Sequence, residues 1–211
     1  MRVLLIGGTG RLSAAVARRT IAVGHELTAM VRSSGAALPA GTEVIQGDVN
    51  DEAGVAERLG DREFDVVVES VAYQTDQVER DLRLFGGRCG QYVFISSASA
   101  YQKPVRSLPV GEDTPLDNPY WDYSRAKAAC ERVVLDAHAA TGFPVTIVRP
   151  SHTYDQRAIP LHFNGRNGSW SVVKRIVEGR PVVIHGDGEA LWTFTWNDDF
   201  AAGFCGLFGN A

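Results

Sequence analysis

The chain has little cysteine, little methionine and no long apolar run, and each shortage removes a class of protein. Its three cysteines, Cys89, Cys130 and Cys205, lie far apart in 211 residues, without a CxxC pair or histidine-rich spacing. Neither a disulfide framework nor a zinc site fits that pattern, so no metal is expected and free thiols in a reducing cytoplasm are. The first apolar stretch, Val3 to Ile6, meets glycine after four residues, too soon for a secretory leader or a bilayer span. The net charge of −4 gives no basis for a nucleic-acid binder that works by neutralising phosphates. Repeats, charge blocks and low-complexity tracts are missing too. What remains is a cytoplasmic chain of one generous domain, 45% hydrophobic and able to bury a large core, with a small molecule as its expected partner.

The chain is organised around its first stretch, Val3-Leu4-Leu5-Ile6-Gly7-Gly8-Thr9-Gly10-Arg11-Leu12-Ser13. Four consecutive apolar residues read as a strand buried on both faces, and Leu12 to Ile21 as a helix. A strand, a glycine turn and a helix start make an anion site, because the first helical turn offers unpaired N–H groups and a positive dipole end. Gly7 permits the tight turn, Gly10 lets a pyrophosphate approach without meeting a Cβ, and Ser13 is small enough for close helix–strand packing. Gly7, Thr9, Gly10, Arg11 and Leu12 are therefore candidate cofactor contacts.

Strands are expected at His25–Val31, Glu43–Gln46, Phe64–Ser70, Gln91–Ser96 and Pro144–Val148, with helices at Asp51–Leu59 and Asp76–Phe85 between them. Asn118-Pro119 reads as the cap and first residue of the longest helix, which Gly142 ends. Alternating strands and helices give right-handed crossovers and an α/β fold, a Rossmann-type doubly wound parallel sheet with helices on both faces. Residues 1–150 form the dinucleotide-binding domain, and residues 151–211 a short or incomplete substrate-binding region packed on it. There the pattern loosens. Residues 164–168 look mobile, Val172–Val177 helical, Val182–Ile184 and Leu191–Thr195 like short strands, and Phe200–Phe208 like a last helix capped by Asp198 and Asp199. Trp121, Trp170, Trp192 and Trp196 read as core or interface rather than as a stacking platform.

Where a dinucleotide fold puts a carboxylate for the ribose 2′-hydroxyl, this chain has Arg32-Ser33-Ser34. An arginine cannot accept from that hydroxyl but can pair with a 2′-phosphate, and Arg11 adds a second cation. NADP is therefore preferred over NAD, unless Arg32 is a solvated loop charge. Asp48 is the candidate partner for the adenine amino group, or else a turn carboxylate.

On the long helix, Tyr123 and Lys127 stand four residues apart and share a face. An ammonium about 4 Å from a phenol, at an effective dielectric of ~20, would favour the phenolate by up to ~4 kcal/mol, carrying a pKa near ~10 toward ~7. Such a tyrosine passes protons near neutral pH. Ser97, at the end of the fifth strand, can donate to the substrate oxygen. Glu131, one turn after Lys127, either competes for the lysine or pairs on a solvated face.

Gly7-Gly8-Thr9-Gly10, Gly47-Asp48-Val49, Ser96-Ser97-Ala98-Ser99-Ala100-Tyr101, Tyr123 to Lys127, Arg149-Pro150 and the stretch from Gly186-Asp187-Gly188 to Asn197-Asp198-Asp199-Phe200 together resemble the extended short-chain dehydrogenase/reductases, the NAD(P)-dependent epimerase/dehydratase group. Val71-Ala72-Tyr73, Tyr101-Gln102-Lys103-Pro104 and Trp121-Asp122-Tyr123 are closer to its atypical branch, which includes the chloroplast stem-loop-binding proteins. The resemblance implies Tyr123 as acid/base, Lys127 on the nicotinamide ribose and Ser97 on the substrate oxygen. It places Val49 beside Asp48 among the cofactor contacts, Pro150 and His152 at the nicotinamide pocket, and Ser99, Tyr101 and Tyr154 toward the substrate.

Ala98-Ser99 stands where similar dehydratases carry Asp-Glu, which argues against sugar 4,6-dehydration, and Tyr154-Asp155 replaces the usual Tyr-Gly. The chain stops roughly a hundred residues short of a typical member, as a compact variant or as part of a longer protein. The expected function is an NAD(P)-dependent oxidoreductase acting on a carbonyl/alcohol pair. The alternatives are a nucleotide-sugar epimerase with internal hydride return, or an RNA-binding or regulatory protein on the same fold. A homodimer is the expected assembly.

Overall fold

Alternation inside the strands decides the layers. The computed structural model describes residues 1–33, 37–157, 160–161, 170–189 and 191–210. Six strands, β1 (Arg2–Ile6), β2 (Glu26–Val31), β3 (Glu43–Gln46), β4 (Val66–Glu69), β5 (Tyr92–Ile95) and β6 (Val145–Val148), form one parallel sheet in the order β3-β2-β1-β4-β5-β6. Leu4 and Ile6 of β1 point to one face, where Val67, Phe94 and Tyr92 meet Val55, Val78, Phe85 and Val134 from α2 (Glu52–Leu59), α3 (Thr75–Phe85) and α4 (Asp122–Thr141). Val3 and Leu5 point to the other, where Val66, Val68 and Val93 meet Ala15, Val16, Phe204 and Cys205 from α1 (Arg11–Ala22) and α6 (Asn197–Cys205). A sheet covered on both faces needs strands that are largely apolar at its centre, and Val3–Ile6, Val66–Val68 and Tyr92–Ile95 are.

The strand order reverses between β1 and β4, so the chain opens a crevice at the carboxyl ends of β1, β4 and β5. The glycine turn follows β1 and Ser97 follows β5, so both stand at this edge. Beyond β6 the chain adds a parallel pair, β7 (His152–Tyr154) with β8 (Phe194–Trp196), and the amphipathic α5 (Trp170–Val177).

Four expectations need correction. The long helix starts at Asp122, not at Asn118-Pro119. Asn118 is spent elsewhere: its Nδ2 donates to the Ser99 carbonyl at 2.7 Å and its Oδ1 accepts the Tyr120 N–H at 3.1 Å. Val182–Ile184 forms no strand, since Val183 is 90% exposed and nothing pairs with it. The last helix starts at Asn197, which puts Asp198 and Asp199 in its first turn rather than at its cap, where Asp198 takes Arg18 at 2.6 Å. Of the core-or-interface reading of the four tryptophans, the core half fails: none enters the hydrophobic core, and Trp121, Trp170 and Trp192 are exposed. Ser34, His162 and residues 164–168 lie outside the described residues. Among the described residues no helix is long and apolar enough to cross a membrane, and no group of His, Cys, Asp or Glu could hold a metal ion.

Candidate active site

The glycine turn is built for close approach. Gly7 and Gly8 adopt φ of +103° and +105°, and a Cβ on Gly7 would stand 2.5 Å from Ser70 Oγ, which is itself held by the Ile6 carbonyl at 2.6 Å. The turn thus leans directly on the end of β4. Gly10 caps α1 with an ordinary φ of −67° and no side-chain bond, and a Cβ there would approach only Ser13 Oγ, at 3.1 Å. Glycine at position 10 therefore serves space rather than conformation. No acidic residue occupies the first turn of α1, and Ser13 is buried against the sheet. An open backbone, uncapped N–H groups and the positive end of a twelve-residue helix are what a pyrophosphate requires, so this turn fits a dinucleotide.

Thr9, Arg11 and Arg32 are exposed beside this turn. Asp48 does act as a turn carboxylate: its Oδ1 accepts the Asn50 backbone and side-chain N–H groups at 2.9 and 3.0 Å. Val49, next to it, is buried in the core.

Ser97 leaves β5 in extended conformation and caps a short 3₁₀ turn, Ala98–Ala100. The Ala98 N–H donates to the Pro150 carbonyl at 3.0 Å, which joins the ends of β5 and β6. A chain of hydroxyls runs from Ser97 to Ser99 and on to Ser124, each step 2.9 Å. Ser99 therefore supports Ser97 from behind. Tyr123 comes over from the first turn of α4, and the Ser97 hydroxyl is near enough to lower the pKa of its phenol.

Lys127 does not do what its spacing suggested. Burial raises the Tyr123 phenol above its ordinary pKa, against the pull of the Ser97 hydroxyl, and neighbouring Tyr73 raises it further. The ammonium is drawn downward instead. It donates to the carbonyls of Ala72 and Ile95, both at 2.7 Å, and lies 4.7 Å from the ring centroids of Tyr73 and Phe94. Burial takes Lys127 down to about 8, and Cys130, Glu69 and Glu131 are the titratable groups that face it. Two strand-end carbonyls offer it fixed dipoles, and these decide where the charge sits.

The remaining candidates are occupied by the protein itself. The Tyr101 hydroxyl accepts from Arg149 Nη1 at 3.0 Å and its ring lies under that guanidinium. His152 packs edge-on against Phe194 and Trp192, and Tyr154 against Phe194 and Trp196, within the β7–β8 pair. Glu131 neither competes for Lys127 nor lies on a solvated face. It is fully buried, takes Arg149 through both oxygens at 2.6–3.0 Å, and accepts the Ser96 hydroxyl. Sequence reasoning missed a second buried cluster, Glu69, Arg80, Asp81 and Tyr92, under the same crevice. Its signal was an ionisable residue closing the apolar run Val66-Val67-Val68-Glu69.

The NAD dependent epimerase/dehydratase profile matches residues 78–210, well over half of the chain. The chain belongs to the NAD-dependent epimerase/dehydratase family. Among its relatives, a UDP-glucose 4-epimerase of Lactobacillus helveticus is 29% identical over 169 residues, 71% of this chain and 51% of that protein. A 2'-dehydrokanamycin reductase of Streptomyces kanamyceticus is 26% identical over 211 residues, all of this chain and 58% of that one. The chloroplast stem-loop binding protein of 41 kDa b of Arabidopsis thaliana is 26% identical over 223 residues, 99% of this chain and 55% of that protein. The chain thus spans about half the length of these curated relatives. In fold, it is similar to a dTDP-glucose 4,6-dehydratase from Bacillus anthracis solved in complex with NAD, at a TM-score of 0.77 and 16% identity over 99% of this chain and 72% of that one.

Proposed function

We propose that this member of the family is an NAD(P)-dependent oxidoreductase that transfers hydride to a carbonyl carbon, with Ser97, Tyr123 and Lys127 as its site. The observation that carries the reading is the Ser97–Tyr123 hydroxyl pair at the carboxyl edge of β5, with a phenol that burial keeps protonated. Ser97 donates to the carbonyl oxygen, and Tyr123 gives that oxygen its proton as negative charge develops there. When bound, a nicotinamide dinucleotide supplies the hydride. Gly7 to Gly10 and the start of α1 receive the pyrophosphate, and Lys127 holds a positive charge under the site. Arg32, exposed and without an ion-pair partner among the described residues, is the candidate for a 2′-phosphate, which supports NADP(H) over NAD(H) in this reading.

Tyr123→Phe removes the proton donor and leaves the nucleotide site alone. Turnover should fall by about a hundredfold or more, while NADPH and NADH affinities by calorimetry stay within about threefold. Undiminished turnover in that variant would reject the assignment.

A second reading, nucleotide-sugar epimerisation with the hydride returned to the same substrate, is favoured by the epimerase among the relatives. It requires a dinucleotide that copurifies and does not exchange. Free exchange of NADPH counts against it.

A further inference from the structure

Glu69 ends β4 with a carboxyl that is fully buried, and both of its oxygens have work. Oε1 accepts the backbone N–H of Val71 and that of Ala72, the latter at 2.7 Å. On the other side stand Arg80 and Asp81 of α3. Arg80 Nη2 is 3.5 Å from Glu69 Oε2 but 2.7 Å from Asp81 Oδ1, which also takes Arg80 Nε at 2.9 Å. Asp81 Oδ2 accepts the buried Tyr92 hydroxyl at 2.7 Å, and Arg80 Nη1 donates to Asn50 Oδ1 at 2.8 Å.

Two buried carboxyls share one guanidinium, so ionising both leaves an uncompensated charge in the core. Asp81 holds the stronger donors, the guanidinium fork and the phenol. The proton therefore belongs to Glu69, which donates it to Asp81, and burial together with the Asp81 charge pushes Glu69 well above the usual carboxyl range.

We propose that Glu69 is a positioning residue: it clamps the Val71–Ala72 backbone and, through the Ala72 carbonyl, fixes where the Lys127 ammonium rests. Tyr73 follows directly, and its ring lies under that ammonium and 6.1 Å from the Tyr123 ring. Besides these rings and carbonyls, the groups facing Lys127 are Cys130, Glu69 and Glu131. The proposal rests on the reading of Ser97, Tyr123 and Lys127 as the site.

The chain has only three lysines, Lys103, Lys127 and Lys174, so the Lys127 Nζ resonance of lysine-labelled protein can be assigned with a Lys127→Arg variant and titrated directly. Glu69→Gln keeps an acceptor for the two N–H groups and a donor for Asp81. It should hold the Lys127 midpoint within about 0.3 units of the wild type and dinucleotide affinity within about threefold. Glu69→Leu loses both, lets water reach the ammonium, and should raise the midpoint by about one unit or more and weaken dinucleotide affinity about tenfold. Glu69→Asp, which withdraws the carboxyl from the N–H groups, replaces it should the leucine variant not fold. A Gln variant that behaves like Leu, or a Leu or Asp variant that titrates like the wild type, overturns the proposal. Failure of the wild-type protein to take up either dinucleotide defeats the functional reading instead, and the lysine titrations still decide the clamp.

Discussion

Tyr123 and Lys127 stand one helical turn apart, yet the ammonium leaves the phenol to its burial. Spacing fixes a shared helix face but not where a four-carbon side chain ends. Two backbone carbonyls, those of Ala72 and Ile95, hold the desolvated cation at 2.7 Å, and amide carbonyls are stronger acceptors than a neutral phenol oxygen. The cost of keeping that cation dry gives a signed prediction. The folded Lys127 titrates at about 8 against an ordinary 10.5. Between those values the unfolded chain binds more protons than the folded one, so stability rises with pH across the window. Relative to Lys127→Met, the wild type should gain on the order of 3 kcal/mol from pH 8 to 10.5, read from urea unfolding at each pH. A flat difference would mean the amine is wetter than its carbonyl partners imply. At the opposite end of the crevice, Arg32 makes the second residue-scale claim. Arg32→Ala should weaken NADPH binding by roughly tenfold to a hundredfold and leave NADH within about twofold, since only a 2′-phosphate needs the guanidinium. Equal losses for both dinucleotides would reduce Arg32 to a loop charge.

Among the elements, α4 and β6 are locked together at one point. Glu131, fully buried, meets Arg149 from the end of β6 and the Ser96 hydroxyl from the end of β5. Arg149→Leu would strand the Glu131 charge in the core and should cost about 3–5 kcal/mol in denaturant unfolding. Adding Glu131→Leu should restore most of it, since both partners of a buried pair can be exchanged for apolar groups at little cost. If the double variant is as unstable as the single one, the pair is a hydrogen-bond hub rather than a charge balance. This lock also marks how far the sequence could be read. Apolar runs placed the central strands β1, β4 and β5, because a doubly covered sheet admits little else there. Gly142 stopped α4 where expected, in the left-handed region at φ +74°. The start of α4 was misread because Asn118 has two uses, and a side chain that caps a helix in one context braces Ser99 in another. Glu131 looked like a solvated charge, and nothing marked Arg80 or Asp81; the burial of these residues and of Glu69 follows from partners that tertiary packing brings, such as Glu69 for Arg80 and Ser96 for Glu131, 11 and 35 positions away in sequence.

For the molecule as a whole, the phosphate site depends on a helix that comes last in the chain. α1 is pressed between the sheet and α6, with Thr20 beside Cys205, Arg18 paired to Asp198, and Ala15, Ala17 and Val16 sealed under Phe204 and Phe208. The glycine turn alone cannot hold the start of α1 at the end of β1; the far side of that helix must also be covered. Burying each of those two phenylalanines contributes roughly 1.5–3 kcal/mol, a large share of the ~5–15 kcal/mol that holds a typical domain folded. A chain ending at Trp196 would leave the side of α1 that packs on Phe204 and Phe208 open to water. It should lose its cooperative urea transition and its dinucleotide uptake together, although every residue assigned to the cofactor and the chemistry is still present. Uptake that persists after cooperativity is gone would show the turn to be self-sufficient. Retention of both would mean that the sheet and α1 form a stable unit without their outer layer.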